Sequence, residues 1–130
     1  WGLILLENLH RVKFIYKFYI KYGRKKLFDI YKDKSGKFRY RLKAKNGEII
    51  CASQSYTTKS SCTKGAKSLI LNSKKKKSFK VQKNKAGNYF FNVIAGNNKV
   101  IATSQAYKSE SSLKKGIESV QKNAIKKNLS

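Results

Sequence analysis

The side chains best suited to chemistry in this 130-residue chain form one short polar pattern that occurs twice, Ser53-Gln54-x-Tyr56 and Ser104-Gln105-x-Tyr107. A serine hydroxyl attacks a substrate only when a neighbouring base takes its proton. The single histidine, His10, lies far up the chain, so no Ser-His-Asp or Cys-His arrangement can be assembled around either pattern. The carboxylates Glu7, Asp29, Asp33, Glu48, Glu110 and Glu118 are scattered, and no pair recurs as an acid-base couple would. Cys51 and Cys62 have no zinc-site spacing with that one histidine. They read as small apolar core residues in a reducing cytoplasm, with a disulfide between them as the alternative. No glycine-rich phosphate loop is present. No catalytic residue, metal or cofactor is expected, and the chain reads as non-enzymatic. The two polar patterns could meet a symmetric ligand. Their more ordinary role is to close a strand-to-helix turn, with serine hydroxyls on backbone groups and tyrosines half-buried.

The other chemistry is ionic. The chain carries 31 Lys and Arg against 6 Asp and Glu, a net charge of +25 that opposes compaction and calls for a polyanionic partner. Residues 1–26 interleave Arg11, Lys13, Lys17, Lys21, Arg24, Lys25 and Lys26 with rings that include Phe14, Tyr16 and Tyr19. Cations bind phosphates and rings stack on unpaired bases, so this segment suits an arm laid into folded RNA. An added strand or a membrane-surface segment remains the competing reading of it. Its apolar start is far shorter than the roughly 20 residues that cross a bilayer and has no secretory pattern, so a cytoplasmic location is expected. Further cations are expected to meet phosphate from an alternating strand, Arg39, Arg41, Lys43 and Lys45, and from a linker, Lys74, Lys75, Lys76 and Lys77. The plain alternatives are a solvated strand face and a soluble connector.

These residues are set within a duplication. Residues 28–72 recur without a gap as 79–123, and 16 of the 45 positions are identical, enough to establish an internal repeat. Gly36 and Gly87 mark hairpin turns, and Asn46-Gly47 predicts a two-residue type I′ hairpin, with Asn97-Asn98 as its counterpart. Phe38, Tyr40, Leu42 and Ala44 alternate with the four cations at period two, one face inward and one outward. In the second copy the outward face reads Phe90, Asn92, Ile94 and Gly96, an apolar patch expected to be covered by the arm or by a protein neighbour. After each tyrosine the period lengthens to 3.6. Thr58 and Ser109 are expected to cap helices that bury Cys62, Ala66 and Leu69 in one copy and Leu113, Ile117, Val120 and Ala124 in the other. Gly65 and Gly116 inside those helices predict a close crossing over the helix's own sheet.

The order of these motifs, an aromatic first strand, Gly turn, Asn-Gly-Glu-Ile-Ile hairpin, Ser-x-x-Tyr and Ser-Ser-Cys-x-x-Gly helix, resembles the bacterial tandem-repeat DUF1508 family, the YegP-like or UPF0339 proteins. The resemblance implies an α+β fold of two β-β-β-α repeats packed with pseudo-twofold symmetry, and it implies no activity. The resulting division is a basic aromatic arm at 1–26, repeats at 27–73 and 79–125, a Lys-rich linker at 74–78 and a basic tail at 126–130. The functional expectation is a non-enzymatic RNA-binding protein seated on ribosomal RNA beside other ribosomal proteins. A protein-interaction or anionic-membrane module is the alternative.

Overall fold

Alternation and turn chemistry set the local elements, and the computed structural model describes them over residues 26–129. The first repeat comprises β1 (Phe28–Lys32), β2 (Phe38–Lys43), β3 (Ile49–Ala52) and α1 (Lys59–Asn72). The second comprises β4 (Phe79–Lys83), β5 (Tyr89–Ile94), β6 (Val100–Ser104) and α2 (Glu110–Asn123). The strands form one six-stranded antiparallel sheet in the order β1-β2-β3-β6-β5-β4. The third strands therefore meet at its centre, Cys51 opposite Ser104 and Ala52 opposite Thr103.

Both helices cover the face that presents Tyr40, Leu42, Phe91 and Val93, all fully buried. Each helix reaches across the duplication, α1 touching β5 and β6 as well as β1 and β2, and α2 touching β2 and β3 as well as β5. One apolar cluster thus contains residues of both repeats. A unit of this size buries too little surface to stand alone, and sharing a core supplies the remainder.

The caps fall where expected. Thr58 Oγ1 accepts from Ser61 N at 3.1 Å and Ser109 Oγ from Ser112 N at 3.1 Å. The Asn46-Gly47 hairpin differs from expectation. Ala44 N donates to Glu48 O and Gly47 N to Ala44 O, closing a three-residue loop at Lys45–Gly47. Only its last residue has positive φ (Gly47, 89°), whereas a type I′ turn would also require it of Asn46. The matching loop ends on Asn98 at φ 65°. Asn is one of the few side chains that accept this conformation. The extra loop residue accompanies a register shift in each β2-β3-type pair, at Leu42/Lys43 and Val93/Ile94.

The helix glycines do approach something closely, though it is chiefly a side chain. A Cβ on Gly65 would run into the Tyr56 hydroxyl and ring, and one on Gly116 into those of Tyr107. The tyrosine of each polar pattern is therefore what each helix crosses. The buried thiols Cys51 and Cys62 are both free, and burial pushes Cys51 up to about 12, leaving it an inert core residue.

Candidate nucleic-acid interface

The alternating strand places Arg39, Arg41 and Lys43 on the helix-free face as expected, but there they meet carboxylates. Arg39 Nε lies 3.1 Å from Asp33, Arg41 Nε 2.9 Å from Asp29, and Lys43 Nζ 3.8 Å from the same Asp29 oxygen. Arg41 also covers the Tyr31 ring at 4.5 Å. The row is thus partly neutralised within the sheet and is not a bare phosphate track. The signal was available in the turn, because a three-residue loop at Lys34–Gly36 puts Asp29 directly opposite Arg41. Solvent screens half-exposed pairs of this kind, so they add little to stability and remain exchangeable for a phosphate.

Asp33 is held more firmly than an ordinary surface carboxylate. Its oxygens accept from the Ser35 hydroxyl at 2.6 Å, from Ser35 N at 2.9 Å, from Lys37 N at 3.0 Å and from Arg39 Nε at 3.1 Å. The Ser35 hydroxyl leads in lowering its pKa to about 2, with Lys37 and Arg39 following and partial burial opposing them. A carboxyl with a depressed pKa stabilises the fold fully above its unfolded value near 4, and that contribution disappears as pH falls towards about 2. The second repeat has Asn84 here, which still accepts from Asn88 N at 2.9 Å, so Asp33→Asn keeps the turn while removing the charge. The urea midpoints of wild type and Asp33→Asn should differ at pH 6 and converge between about pH 4 and pH 2. A constant gap over that range would show that the charge contributes nothing.

Lys45 leaves the strand row altogether. It stands in the hairpin loop, beside a shallow 430 Å³ depression shared with Lys115 and Lys122 of α2 and with Glu118. The linker reaches the same helix end, since Lys74 Nζ donates to Gln121 O at 3.3 Å. Lys74, Lys75, Lys76 and Lys77 are all exposed, while Ser73 and Ser78 on either side are buried and pin the segment. The tertiary structure thus brings Lys45 to Lys115 and Lys122 around one depression, with Lys74 held at the Gln121 carbonyl of the same helix. The helix dipole by itself favours cations at this C-terminal end. Lys26 is exposed beside β1. Arg11, Lys13, Lys17, Lys21, Arg24, Lys25, Phe14, Tyr16 and Tyr19 lie outside the described residues, as does any covering of Phe90 and Ile94 by the arm.

The two polar patterns occupy the structural role. Ser53 Oγ accepts from Tyr40 N at 2.9 Å and donates to Gln54 O at 2.7 Å, and Ser104 does the same for Phe91 N at 2.9 Å and Gln105 O at 2.8 Å. Each serine completes a ladder where the strand departs. Tyr56 and Phe38 then exchange backbone bonds at 2.7 Å, and the Tyr56 ring stacks on Tyr40 at 6.5 Å; Tyr107 pairs likewise with Tyr89 and stacks on Phe91. Burial raises both phenols. Gln54 and Gln105 are exposed, and a hydrogen bond from the Gln105 side chain partly offsets the burial that raises the Tyr107 phenol. Among the described residues no group of His, Cys, Asp and Glu could hold a metal, and no helix is long and apolar enough to cross a membrane.

Two β-β-β-α units sharing one sheet define a tandem-repeat α+β protein. The family model described as "Domain of unknown function (DUF1508)" matches it twice, at residues 33–77 and 84–129, and the chain belongs to this family. It is 46% identical over 97 residues to the "UPF0339 protein in ptx operon 5'region" of Stutzerimonas stutzeri, covering 75% of this chain and 87% of that one. It is 38% identical to YegP of Escherichia coli K12 over 96 residues, 74% of this chain and 87% of the other. The solution structure of E. coli yegP superposes with a TM-score of 0.73 at 36% identity, covering 76% of this chain and 85% of that one. A UPF0339 protein of Shewanella oneidensis does so at 0.71 and 35%, over 75% and 82%.

Proposed function

We propose that this chain is a non-enzymatic RNA-binding protein, an accessory or structural component that sits on ribosomal RNA in the cytoplasm among neighbouring ribosomal proteins. The observation that carries the reading is uncompensated charge. Against +25 overall, the ion pairs among the described residues involve only Asp29 and Asp33. The lysines of the linker, the hairpin loops and both helices remain turned to solvent, where a polyphosphate would release their counterions. In this reading the repeats pack about a pseudo-twofold axis, offering a similar scaffold at both ends. The basic arm at 1–26 anchors the particle, and Lys45, Lys74, Lys115 and Lys122 supply a second contact. Position is set by shape, because lysines on phosphates carry no sequence information.

The test is sedimentation of the tagged full chain from a lysate through a sucrose gradient, with and without ribonuclease and at two salt concentrations. Co-migration with ribosomal subunits, lost after ribonuclease and after charge-reversing Lys13, Lys17, Lys21, Arg24, Lys25 and Lys26, supports the proposal. If six to ten phosphates are contacted, affinity should fall by about 10³ to 10⁵ between 50 and 200 mM salt. Migration at the top of the gradient in low salt, free of nucleic acid, sinks it and favours a protein or anionic-membrane partner.

A further inference from the structure

We infer that the groove between β1 and α1 is a binding site for a single-chain acyl anion, a free long-chain carboxylate taken as a monomer. The groove, about 1170 Å³ in volume, runs along β1, the edge strand of the sheet among the described residues. Its apolar floor comprises Ile30 of β1, Ile70 and Leu71 of α1, and Leu129 from the C-terminal turn. Leu71 is 72% exposed, and together with Ile30, Ile70 and Leu129 it makes an apolar patch among the described residues rather than a single exposed side chain. Lys26, Lys59 and Lys67 line the same groove, and its one carboxylate, Asp29, is already held by Arg41 and Lys43. Apolar length with a predominantly cationic rim matches a ligand that is apolar along its body and anionic at its head.

The duplication supplies an internal comparison. Lys59, Thr63, Lys67 and Leu71 follow one another every four residues, so one stripe of α1 faces the groove. At the equivalent positions α2 carries Glu110, Lys114, Glu118 and Lys122, and Gln121 replaces Ile70. Two of the lysines are reversed in charge and the floor is lost. The site therefore belongs to the first repeat, and a helix needed only for packing on the sheet would not require the difference, since both helices already bury their other faces. Phosphate-bearing RNA has no use for the leucine-isoleucine floor, so the inference stands independently of the RNA reading.

Laurate, kept below the concentration at which it forms micelles, is titrated into the ¹⁵N-labelled full chain and followed by amide shifts. Saturable one-to-one binding with shifts at Ile30, Thr63, Ile70 and Leu71 is expected. Leu71→Asp, exposed enough to fold normally, and Lys59→Glu/Lys67→Glu should each weaken it by about tenfold or more, and Lys114→Glu/Lys115→Glu should leave it unchanged. Shifts that never saturate and spread over lysines everywhere would overturn the site. So would equal binding of dodecanol, undiminished binding by Leu71→Asp, or the absence of any shift at the groove amides. Perturbation of the same amides by phosphatidylglycerol vesicles but not by monomeric laurate would replace the monomer site with a membrane surface. Sedimentation with ribosomal subunits can fail without altering any of these outcomes.

Discussion

Tyr40→Ala is expected to destabilise the whole molecule by about 3–5 kcal/mol, and Tyr40→Phe by about 1 kcal/mol. Tyr40 is fully buried on β2, its ring 6.0 Å from Phe28 and stacked on Tyr56. Its hydroxyl donates to Ile101 O at 2.6 Å, a bond from the first repeat into the second. The alanine variant loses the ring's contacts and leaves a cavity between sheet and helix. The phenylalanine variant loses only the cross-repeat bond; Phe91, its counterpart, has no hydroxyl to give. Because the core is continuous, urea should unfold wild type and both variants in one transition by fluorescence and circular dichroism alike. Two separate transitions would contradict a shared core, and an unchanged midpoint for Tyr40→Phe would remove the hydroxyl from the account. Burial holds this phenol well above its ordinary pKa. A raised phenol gives its full stabilisation below the unfolded value near 10 and loses it as pH climbs beyond, so Tyr40→Phe should also soften alkaline unfolding.

Gly65→Ala and Gly116→Ala should each lower stability by about 1–3 kcal/mol through overpacking, although alanine favours a helix interior by about 1 kcal/mol over glycine. The added methyl would collide with the tyrosine ring lying over each helix. Tyr56 cannot swing aside easily, since its backbone is bridged to Phe38 and its ring is stacked on Tyr40. Adding Tyr56→Phe removes the atom nearest the new methyl, so Gly65→Ala should cost less in that background. Urea midpoints of the four proteins in this cycle measure the coupling. A stabilised Gly65→Ala would mean that helix propensity outweighs the contact.

Much of this was legible in residue types. The alternation at Phe38–Lys43, the capping residues Thr58 and Ser109, and the recurrence of Ser-Gln-x-Tyr each depend on neighbours a few positions away. Asn46-Gly47 does not form the type I′ turn its residues predict, because Asn-Gly suits more than one hairpin and loop length is chosen by the register of the flanking strands. Helix glycines announced a close approach without naming the partner, which comes from a tyrosine nine residues earlier in each repeat.

The duplication, the β-β-β-α order, the inward faces and the large positive charge are all written in the order of residues, because periodicity, turn chemistry and composition are local properties. Which charges remain available depends on how the strands pair and the helices dock. Pairing β1 with β2 joined Asp29 and Asp33 to the arginine row, folding brought Lys45 to Lys115 and Lys122, and docking α1 beside β1 set Leu71 over a groove rimmed by lysine. Those juxtapositions link residues tens of positions apart, and strand register and helix placement fix them where spacing along the chain cannot.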